Sequence, residues 1–323
     1  MSSQTSAALP DAAPANWVDR HAPEGLRPWL KLGRLDRPIG VWLLLLPGWQ
    51  GVALASAELG RGPDVVLLAK IFFGALAMRS AGCAWNDILD RDVDAKVART
   101  AMRPVASGRI SIKQALAFIA FCAAVGLAIL LTLDKAAIVL GIASLIPVAA
   151  YPLMKRITWW PQAWLGLTFN WGALLGYAAV AGRLGWPPVL LYLGGIFWTL
   201  GYDTIYAIQD MEDDALVGVK SSALRLGPDL QRGVLVFYGL AFLLALGAAW
   251  SANLGPLFLP FAALYAVQLS RQAAKVRLDD GGLALRLFRS NREAALTLFA
   301  GLVAGLWRTG ASLTGQDLTG LGG

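Results

Sequence analysis

Nine apolar segments, each close to the length of a membrane-spanning helix, constrain the fold of this chain more than any other feature. The hydrocarbon core of a bilayer needs about 20 apolar residues per helix. Of the 323 residues, 57% are hydrophobic and 15% are charged, whereas soluble domains carry about 25% charged residues. We therefore predict an all-α, polytopic membrane protein with nine transmembrane helices. The predicted spans are residues 38–57, 64–85, 115–133, 136–153, 161–181, 188–207, 233–252, 255–270 and 293–308.

The same composition excludes a disordered chain, a collagen-like fibre, a disulfide scaffold and a cytosolic enzyme with one buried core. His21 is the single histidine of the sequence, which removes most zinc sites, haem ligation and Ser-His-Asp catalysis. Cys83 and Cys122 lie inside apolar segments, so a disulfide framework is not expected. Any catalysis must depend on carboxylates, Arg, Lys, Tyr or a hard cation.

The lysines and arginines are concentrated on one side of the predicted topology. The N-terminal stretch and the loops after helices 2, 4, 6 and 8 hold 22 of the 28, and the opposite side holds Arg61, Lys135, Arg183 and Arg308. Because cytoplasmic loops are enriched in Lys and Arg, these basic loops are predicted to be cytoplasmic. We expect a bacterial cytoplasmic (inner) membrane, with the active site on its cytoplasmic side. The net charge of +7 then follows from topology, and no nucleic-acid partner is expected.

Three parts of the chain differ in composition. Residues 1–30 are rich in Ala, Pro and Asp, lack the pattern of a signal peptide and are predicted to be a disordered cytosolic tail. Residues 31–308 hold all the apolar segments and form the predicted membrane domain, and residues 309–323 form a Gly-rich C-terminal tail. The longer polar stretches of the membrane domain are at 86–114, 208–232 and 271–292.

Two short acidic windows, at residues 86–94 and 203–214, hold nine of the 21 Asp and Glu residues. Each window closes an apolar segment. Asp90 and Asp94 are four residues apart and Asp87 precedes Asp90 by three, so all three would share one face of a continued helix. The plain alternative is a solvated helix end with lysine counter-ions. The basic loops already supply solubility, so we favour a binding site.

The two acidic windows have the layout of a repeat. Asp210 and Asp214 match the spacing of Asp90 and Asp94 and follow them by 120 residues and four predicted helices. An even number of helices makes the two copies parallel, so we predict two four-helix repeats and a ninth helix. Mg²⁺ typically combines one or two carboxylates with water and phosphate oxygens. Two facing acidic windows therefore predict a Mg²⁺-dependent diphosphate site.

Basic side chains on the same predicted side could bind that diphosphate. Lys155 and Arg156 close the fourth apolar segment, and arginine binds phosphate oxygens in a bidentate manner. Taken alone, these two residues could equally be there for topology. Beside two acidic windows, diphosphate binding is the better interpretation. Arg91, Lys220 and Arg37 complete the predicted cationic set.

At these residues the sequence resembles the UbiA superfamily of membrane prenyltransferases. The family motif NDxxDxxxD is matched at Asn86, Asp87, Asp90 and Asp94, and the motif DxxxD at Asp210 and Asp214. Residues 151–156 match another family stretch. Three further stretches are similar to the hydroxybenzoate branch in particular, at residues 34–40, 103–109 and 202–206. The resemblance covers about residues 28–308, and all the motifs fall in the order that the family has them.

The resemblance implies nine helices around a central cavity and Mg²⁺-dependent transfer of a polyprenyl chain from polyprenyl diphosphate to 4-hydroxybenzoate. The chain would join the ring carbon beside the hydroxyl, in ubiquinone biosynthesis, within the lipid bilayer and with no obligate protein partner. The implied catalytic residues are Asp90, Asp94, Asp210, Asp214 and Arg156. The implied metal ligands are the same four aspartates and Asp87. The implied substrate-binding residues are Asn86, Arg91, Tyr151, Lys155, Lys220, Arg37 and Arg79.

Arg79 lies two helical turns before Asn86, inside the second span. An arginine within the membrane is usually paired or functional. We consider two roles for it: an ion pair with a motif aspartate, or the cation that holds the hydroxybenzoate carboxylate. Aromatic faces could in turn stabilise an allylic cation. The aromatic candidates are Phe72, Phe73, Phe169, Trp171 and Tyr177.

Three alternatives stay open on the sequence. The menaquinone, haem O and chlorophyll branches of the superfamily share the aspartates but use other acceptors. A phosphatidyl-alcohol transferase also uses membrane aspartates and a divalent metal, but its motif fails at Ile112 and Leu116 and leaves the second acidic window unexplained. A cation-coupled transporter would place ionisable residues near the membrane midplane, whereas these acids crowd one surface. Metal-dependent diphosphate release from a prenyl donor separates the enzymes from the transporter.

Overall fold

The computed structural model describes residues 16–97, 100–211, 215–216, 218 and 220–307, and within these ranges it contains helices and no strand. The all-α prediction is confirmed. The α-helices are α1 (Trp17–His21), α2 (Arg27–Leu32), α3 (Ile39–Glu58), α4 (Val65–Leu89), α5 (Arg91–Asp94), α6 (Ile112–Leu130), α7 (Lys135–Ala143), α8 (Leu145–Ile157), α9 (Pro161–Phe169), α10 (Trp171–Ala181), α11 (Trp186–Ala207), α12 (Ser222–Leu226), α13 (Leu230–Ser251), α14 (Phe258–Lys275), α15 (Gly281–Arg289) and α16 (Asn291–Ala304). A 3₁₀ turn at Ile208–Asp210 extends α11.

Among the described residues, four helical stretches are long and apolar enough to cross a bilayer by themselves. They are Ile39–Glu58, Val65–Leu89, Ile112–Leu130 and Ser222–Ser251. Inside the protein, α3 is central, because 72% of its apolar window is buried against 17% for α4 and 11% for α6. A helix that is apolar and exposed needs an apolar surrounding, so α4 and α6 indicate a membrane protein. Nine spans and the repeat layout stay predictions.

The span predicted at 136–153 is divided in the structure. Helix α7 ends at Ala143 and α8 begins at Leu145, with the Ser144 hydroxyl donating to the carbonyl of Gly141 at 2.6 Å. Pro147 has no N–H and cannot bond the carbonyl of Ala143, which is the bond that an uninterrupted helix would need. The prediction of one continuous helix rested on apolar length alone, which does not reveal this break.

The span predicted at 161–181 is divided in the same way, at Asn170 between α9 and α10. The buried Asn170 amide donates to the carbonyl of Gly166 at 2.9 Å and to Thr199 Oγ1 on α11 at 2.8 Å. Side chains of this type compete with the backbone for hydrogen bonds and favour helix ends. We attribute the break to Thr199 on α11, because its hydroxyl accepts a hydrogen bond from the amide side chain at position 170.

Residues 16–30 were expected to be part of a disordered tail, but the structure shows two short helices there. Asn16 caps α1 by accepting from the Asp19 backbone N–H, and Lys31 Nζ lies 2.6 Å from the Asp19 carboxylate. Partial burial raises the pKa of Asp19, but the hydrogen bond and charge of Lys31 outweigh it and lower the pKa below its usual value. Residues 1–15 and 308–323, the greater part of the predicted tails, lie outside the described residues.

Helices α3 and α10 cross at very short distance through four glycines, Gly48, Gly51, Gly172 and Gly176. A Cβ at Gly51 would overlap the carbonyl of Ala173, and one at Gly176 would overlap the carbonyl of Gly48. Small residues at helix crossings let backbones approach closely in membranes, where dispersion contacts drive association. This crossing holds the central helix α3 against the divided span and thereby sets the position of Asn170.

A buried polar network ties α11, α13, α14 and α16 together. Asn291, with no exposed surface, donates to Gln272 Oε1 at 3.0 Å and accepts from Trp198 Nε1 at 2.8 Å. Gln272 Oε1 also accepts from the Tyr238 hydroxyl at 2.7 Å. Each group in this network satisfies another, which is the condition for burying polar atoms at low cost.

We predict that Asn291→Leu destabilises the protein, because Gln272 and Trp198 would lose a buried partner. Each stranded buried group costs about 1–3 kcal/mol. The check is the thermal unfolding midpoint in detergent. Gln231→Leu is the control, since the Gln231 amide makes one exposed bond, to the Ala274 carbonyl. Equal midpoints for the two variants would contradict the assigned role of the network.

Candidate active site

A polar cavity of about 400 Å³ lies where the two acidic windows meet. Its walls include Asn86, Asp90 and Asp94 from the first window and Asp203 and Asp210 from the second. The structure thus brings together most of the predicted carboxylates, although they come from helices distant in sequence. Asp214 lies outside the described residues. Residues of both windows therefore line one cavity, and their roles in a site stay predictions.

The first acidic window is a broken helix rather than a continued one. Helix α4 ends at Leu89 and Asp90 leaves helical geometry before the short helix α5 begins. The bond from the Asp94 N–H to the Asp90 carbonyl, at 2.8 Å, still spans four residues, and both aspartates line the cavity. Asp90 is 7% exposed and Asp94 is 6% exposed, and both are therefore more buried than a solvated helix end.

Two arginines that the sequence analysis did not select neutralise this window. Arg34 Nη2 lies 2.6 Å from Asp87 Oδ1, and Arg103 Nη1 lies 2.8 Å from Asp94 Oδ2 and 3.8 Å from Asp87 Oδ1. Arg34 has a φ of +58°, an uncommon conformation for a residue with a side chain, which the buried ion pair compensates. Both arginines line the cavity, whereas Asp87 is not in its walls.

The other predicted cations have different positions. Arg37 lines the cavity beside Asp36, with Arg37 Nη2 3.2 Å from Asp36 Oδ2. Lys220 also lines it, donating from Nζ to the Ile157 carbonyl at 3.2 Å. Arg91 instead pairs with Asp92 at 2.8 Å on the exposed side of α5 and does not line the cavity. The side chains of Lys155 and Arg156 lie outside the described part of the structure.

A second, apolar cavity of about 370 Å³ adjoins the polar one. Four residues line both cavities: Arg79, Asn86, Tyr151 and Phe169. The remaining walls are almost entirely apolar and come from α3, α4, α6, α7, α8, α9 and α10. Several of the lining side chains are about half exposed, so this cavity opens toward the lipid-facing surface. These are Leu127, Ile142 and Leu145.

Arg79 lies at the boundary between the two cavities, deeper than the carboxylates. Its guanidinium carbon lies 5.4 Å from the centre of the Phe169 ring, and its Nε is buried without a hydrogen-bond partner. A buried, incompletely satisfied guanidinium favours an anionic ligand. Of the two roles considered for Arg79, this geometry favours binding of a carboxylate that enters the cavity.

The structure separates the aromatic candidates. Phe169 lies at the boundary of the cavities, and Trp171 lines the apolar cavity. Phe73 is 56% exposed, and the Tyr177 hydroxyl donates to Glu58 near the opposite end of α3. Only Phe169 of these residues is therefore placed beside the carboxylate cavity.

Several residues that line the cavity were given no individual role from the sequence, among them Asp203, at the start of the second acidic window, and Tyr202. The Tyr202 hydroxyl accepts from Thr199 Oγ1 at 3.2 Å, which in turn accepts from Asn170. Asp203 is two turns before Asp210 on α11, as Arg79 is two turns before Asn86 on α4. That repeated seven-residue offset was the signal that could have identified it. Arg289 of α15 also lines the cavity and had no sequence signal of its own.

The cavity offers the oxygen ligands that a hard cation requires. Across the described residues, no three acidic, histidine or cysteine side chains lie close enough together to hold a metal ion by themselves. A site for Mg²⁺ does not need three, because the ion usually takes one or two carboxylates and fills its shell with water and phosphate oxygens. Asp90, Asp94 and Asp210 therefore fit Mg²⁺ that arrives with a phosphorylated ligand.

Comparison with known proteins agrees with this geometry. The model of the UbiA prenyltransferase family matches residues 44–305. A mitochondrial 4-hydroxybenzoate polyprenyltransferase of Arabidopsis thaliana is 48% identical over 294 residues, which cover 90% of this chain and 72% of that protein. The enzyme of the same name from Homo sapiens is 46% identical over 292 residues, 89% of this chain and 78% of that protein.

Two solved structures share the fold. The apo structure of a UbiA homolog from Aeropyrum pernix K1 has a TM-score of 0.69 and 27% identity, covering 82% of this chain and 98% of that one. A UbiA homolog from Archaeoglobus fulgidus bound to GPP and Mg²⁺ has a TM-score of 0.63 and 17% identity, covering 86% and 99%. At that identity the second likeness shows the fold alone.

The relatives also correct one prediction. They carry mitochondrial names and come from eukaryotes, so the prediction of a bacterial cytoplasmic membrane is wrong. Its physical basis was the distribution of Lys and Arg, which shows which loops share a side but not which membrane the protein occupies. The family match sets aside the transporter and the phosphatidyl-alcohol transferase. With a family model that spans most of its length, the chain belongs to the UbiA prenyltransferase family.

Proposed function

We propose that this protein transfers a polyprenyl chain from polyprenyl diphosphate to 4-hydroxybenzoate, in ubiquinone biosynthesis. The observation that carries the proposal is the direct contact between a polar cavity rich in carboxylates and arginines and an apolar cavity that opens to lipid. A prenyl diphosphate has these two chemistries joined in one molecule. The names of the relatives supply the acceptor.

The diphosphate would lie in the polar cavity. Arg34, Arg37, Arg103 and Lys220 line it, and guanidinium groups bind phosphate oxygens strongly because each bond is charge-assisted. Lys155 and Arg156 are proposed to extend this set, whereas the exposed position of Arg91 gives it no support. The carbon–oxygen bond to the diphosphate breaks, and these cations stabilise the negative charge that develops on the leaving group.

Asp90, Asp94, Asp210 and Asp214 are proposed to hold Mg²⁺, which is typical of the family. When bound, the metal would neutralise charge on the leaving diphosphate. The Arg34 and Arg103 pairs give Asp87 a different proposed role, that of positioning these arginines. The reaction also requires that water be kept from the allylic cation, which water would otherwise capture as an alcohol.

Hydroxybenzoate would lie between the diphosphate and Arg79. A carboxylate buried without a partner costs several kcal/mol, and Arg79 is a cation with an unsatisfied buried Nε. Asn86 and Tyr151 line the same boundary and are proposed to complete the acceptor pocket. The ring carbon beside the hydroxyl forms a bond to the first carbon of the prenyl chain, and the proton on that ring carbon is lost.

We also propose the topology that the charges predict, with nine spans as two four-helix repeats and a ninth helix, and residues 31–308 as the transferase domain. The divided helices α7–α8 and α9–α10 then each count as one span. The membrane is a mitochondrial one, as the relatives' names indicate. The loops 86–114, 208–232 and 271–292 would share the side that carries the polar cavity.

The proposed topology places these three loops on one side of the membrane, so a reagent on that side should reach all three. Single cysteines at Asp92, Gly218 and Asp279, in a background with Cys83 and Cys122 replaced by Ala, should react with an impermeant maleimide from the same side of oriented vesicles. A cysteine at Arg183, between α10 and α11, should react from the other side. Labelling of Gly218→Cys and Arg183→Cys from one side would contradict the proposed arrangement.

Replacing single motif carboxylates should abolish most turnover. We expect Asp90→Asn, Asp94→Asn and Asp210→Asn each to lower kcat by about a hundredfold or more, the usual scale for losing one electrostatic contact to the transition state. Asp214→Asn and Arg156→Ala should act alike. Asp92→Asn is the matched control, because its side chain is 80% exposed. Turnover is measured with geranyl diphosphate, and unfolding midpoints show that the variants fold, since Asp90 and Asp94 are buried.

Near-normal rates at low Mg²⁺ for two of these aspartate variants would show that the metal assignment is wrong. A tenfold loss in Asp92→Asn as well would indicate a general charge effect at the surface rather than a site. The two outcomes can be distinguished, because a wrong metal assignment leaves the rate of the Asp92→Asn control unchanged.

Arg79→Ala should weaken acceptor binding more than donor binding. A lost hydrogen bond to a charged group costs about 1.5–3 kcal/mol, so KM for 4-hydroxybenzoate should rise roughly tenfold or more, while KM for the prenyl diphosphate changes little. Arg79→Lys should restore only part of the acceptor binding, because lysine lacks the planar guanidinium that binds a carboxylate through two hydrogen bonds. Arg91→Ala is the control on the exposed side of α5. An unchanged hydroxybenzoate KM in Arg79→Ala would remove this role from Arg79 and leave the reaction assignment intact.

A further inference from the structure

Helix α4 presents one face to the apolar cavity. The residues that line it recur every three or four positions, as expected for one side of a helix. They are Lys70, Ile71, Gly74, Ala75, Met78, Arg79, Gly82, Trp85 and Asn86. Two of these are glycines in the interior of a helix, where glycine is destabilising relative to alanine. Their presence in the cavity wall requires a physical reason.

Close packing explains other glycines of this cavity but not these two. A Cβ at Gly126 would come within 2.8 Å of Met78 Sδ, and one at Gly141 within 2.5 Å of Leu130 Cδ1, so a side chain there would first displace the side chain of a neighbouring helix. At Gly82 a Cβ would meet no atom within 4 Å, and at Gly74 the nearest atom is Ile129 Cγ2 at 3.9 Å. Any side chain at Gly74 or Gly82 would therefore occupy the cavity itself.

We infer that Gly74 and Gly82 are specificity-determining residues that set how long a prenyl chain the protein accepts. This inference rests on the proposed function and identifies the residues that limit the length of the donor's prenyl chain. The occupant is the hydrocarbon chain of the diphosphate, because the apolar cavity continues from the polar one through Arg79, Asn86, Tyr151 and Phe169. The space left by the two absent side chains is filled by that chain.

The two glycines act at different distances from the reacting end. At about 1.5 Å of rise per residue, Gly82 lies about 6 Å and Gly74 about 18 Å along α4 from Asn86. A side chain at Gly82 meets the first isoprene units, which every donor has. A side chain at Gly74 meets only the more distant units, which a geranyl chain lacks. The effect of substitution should therefore depend on position as well as on size.

The experiment compares donors of two lengths in the full-length protein. Wild type, Gly74→Leu and Gly82→Leu are assayed with 4-hydroxybenzoate and either geranyl or solanesyl diphosphate. Gly239→Leu is the matched control, because Gly239 is an exposed glycine inside α13 with nothing within 4 Å of its Cβ position, and it lines neither cavity. Unfolding midpoints are measured for all variants, and Gly74→Ala and Gly82→Ala are expected to be at least as stable as wild type, since alanine favours the helix.

For Gly74→Leu we expect kcat/KM with solanesyl diphosphate to fall about tenfold or more, because leucine overpacks an occupied apolar cavity, while the value with geranyl diphosphate is retained. Gly82→Leu should lower both values, and Gly239→Leu neither. An unchanged ratio of the two donors in Gly74→Leu would overturn the inference while the proposed function stands. A wild-type protein that prenylates hydroxybenzoate with neither donor would overturn the proposed function itself.

Discussion

The rest of the site depends on the neutralisation of carboxylates that are almost excluded from water. Asp87 is 1% exposed and Asp94 6% exposed, and an unpaired ion in such surroundings costs several kcal/mol. Arg34 and Arg103 supply the opposite charge. These arginines come from the segment before α3 and from the loop before α6, so the ion pairs join three separate parts of the chain at the end of α4. The walls of the polar cavity follow from that junction.

The sequence predicted the convergence of the acidic windows because the i, i+4 spacing within each window and the number of apolar segments between them can both be counted along the chain. It did not predict the breaks at Ser144 and Asn170. Apolar length cannot distinguish one span from two collinear helices, and the partner of Asn170, Thr199, lies on a helix 29 positions away. The helix-forming tendency of residues 16–30 was missed for a related reason. There the Asn16 cap and the Lys31–Asp19 ion pair stabilise short helices, whereas the other predicted helices were identified by their apolar length.

The cations were the least predictable part of the site. Every Lys and Arg on the basic side contributes to topology, so charge alone cannot separate Arg103, which lines the cavity, from Arg91, which does not. The decisive difference is the end of α4 at Leu89, which turns Arg91 outward toward Asp92. Asp203 was counted in the second acidic window but given no site role, because it lies within an apolar span and outside the DxxxD spacing, although its offset from Asp210 repeats that of Arg79 from Asn86.

The lateral opening of the apolar cavity beside Leu127, Ile142 and Leu145 has a consequence for kinetics. A ligand that enters through this opening is drawn from the lipid phase, so its effective concentration is a mole fraction in two dimensions rather than a molarity. Diluting the donor with inert lipid at constant bulk amount should then lower the rate, whereas diluting the vesicles in buffer should not. The affinity for the long-chain donor should therefore be expressed as a mole fraction in the lipid, and the affinity for the water-soluble acceptor as a molarity.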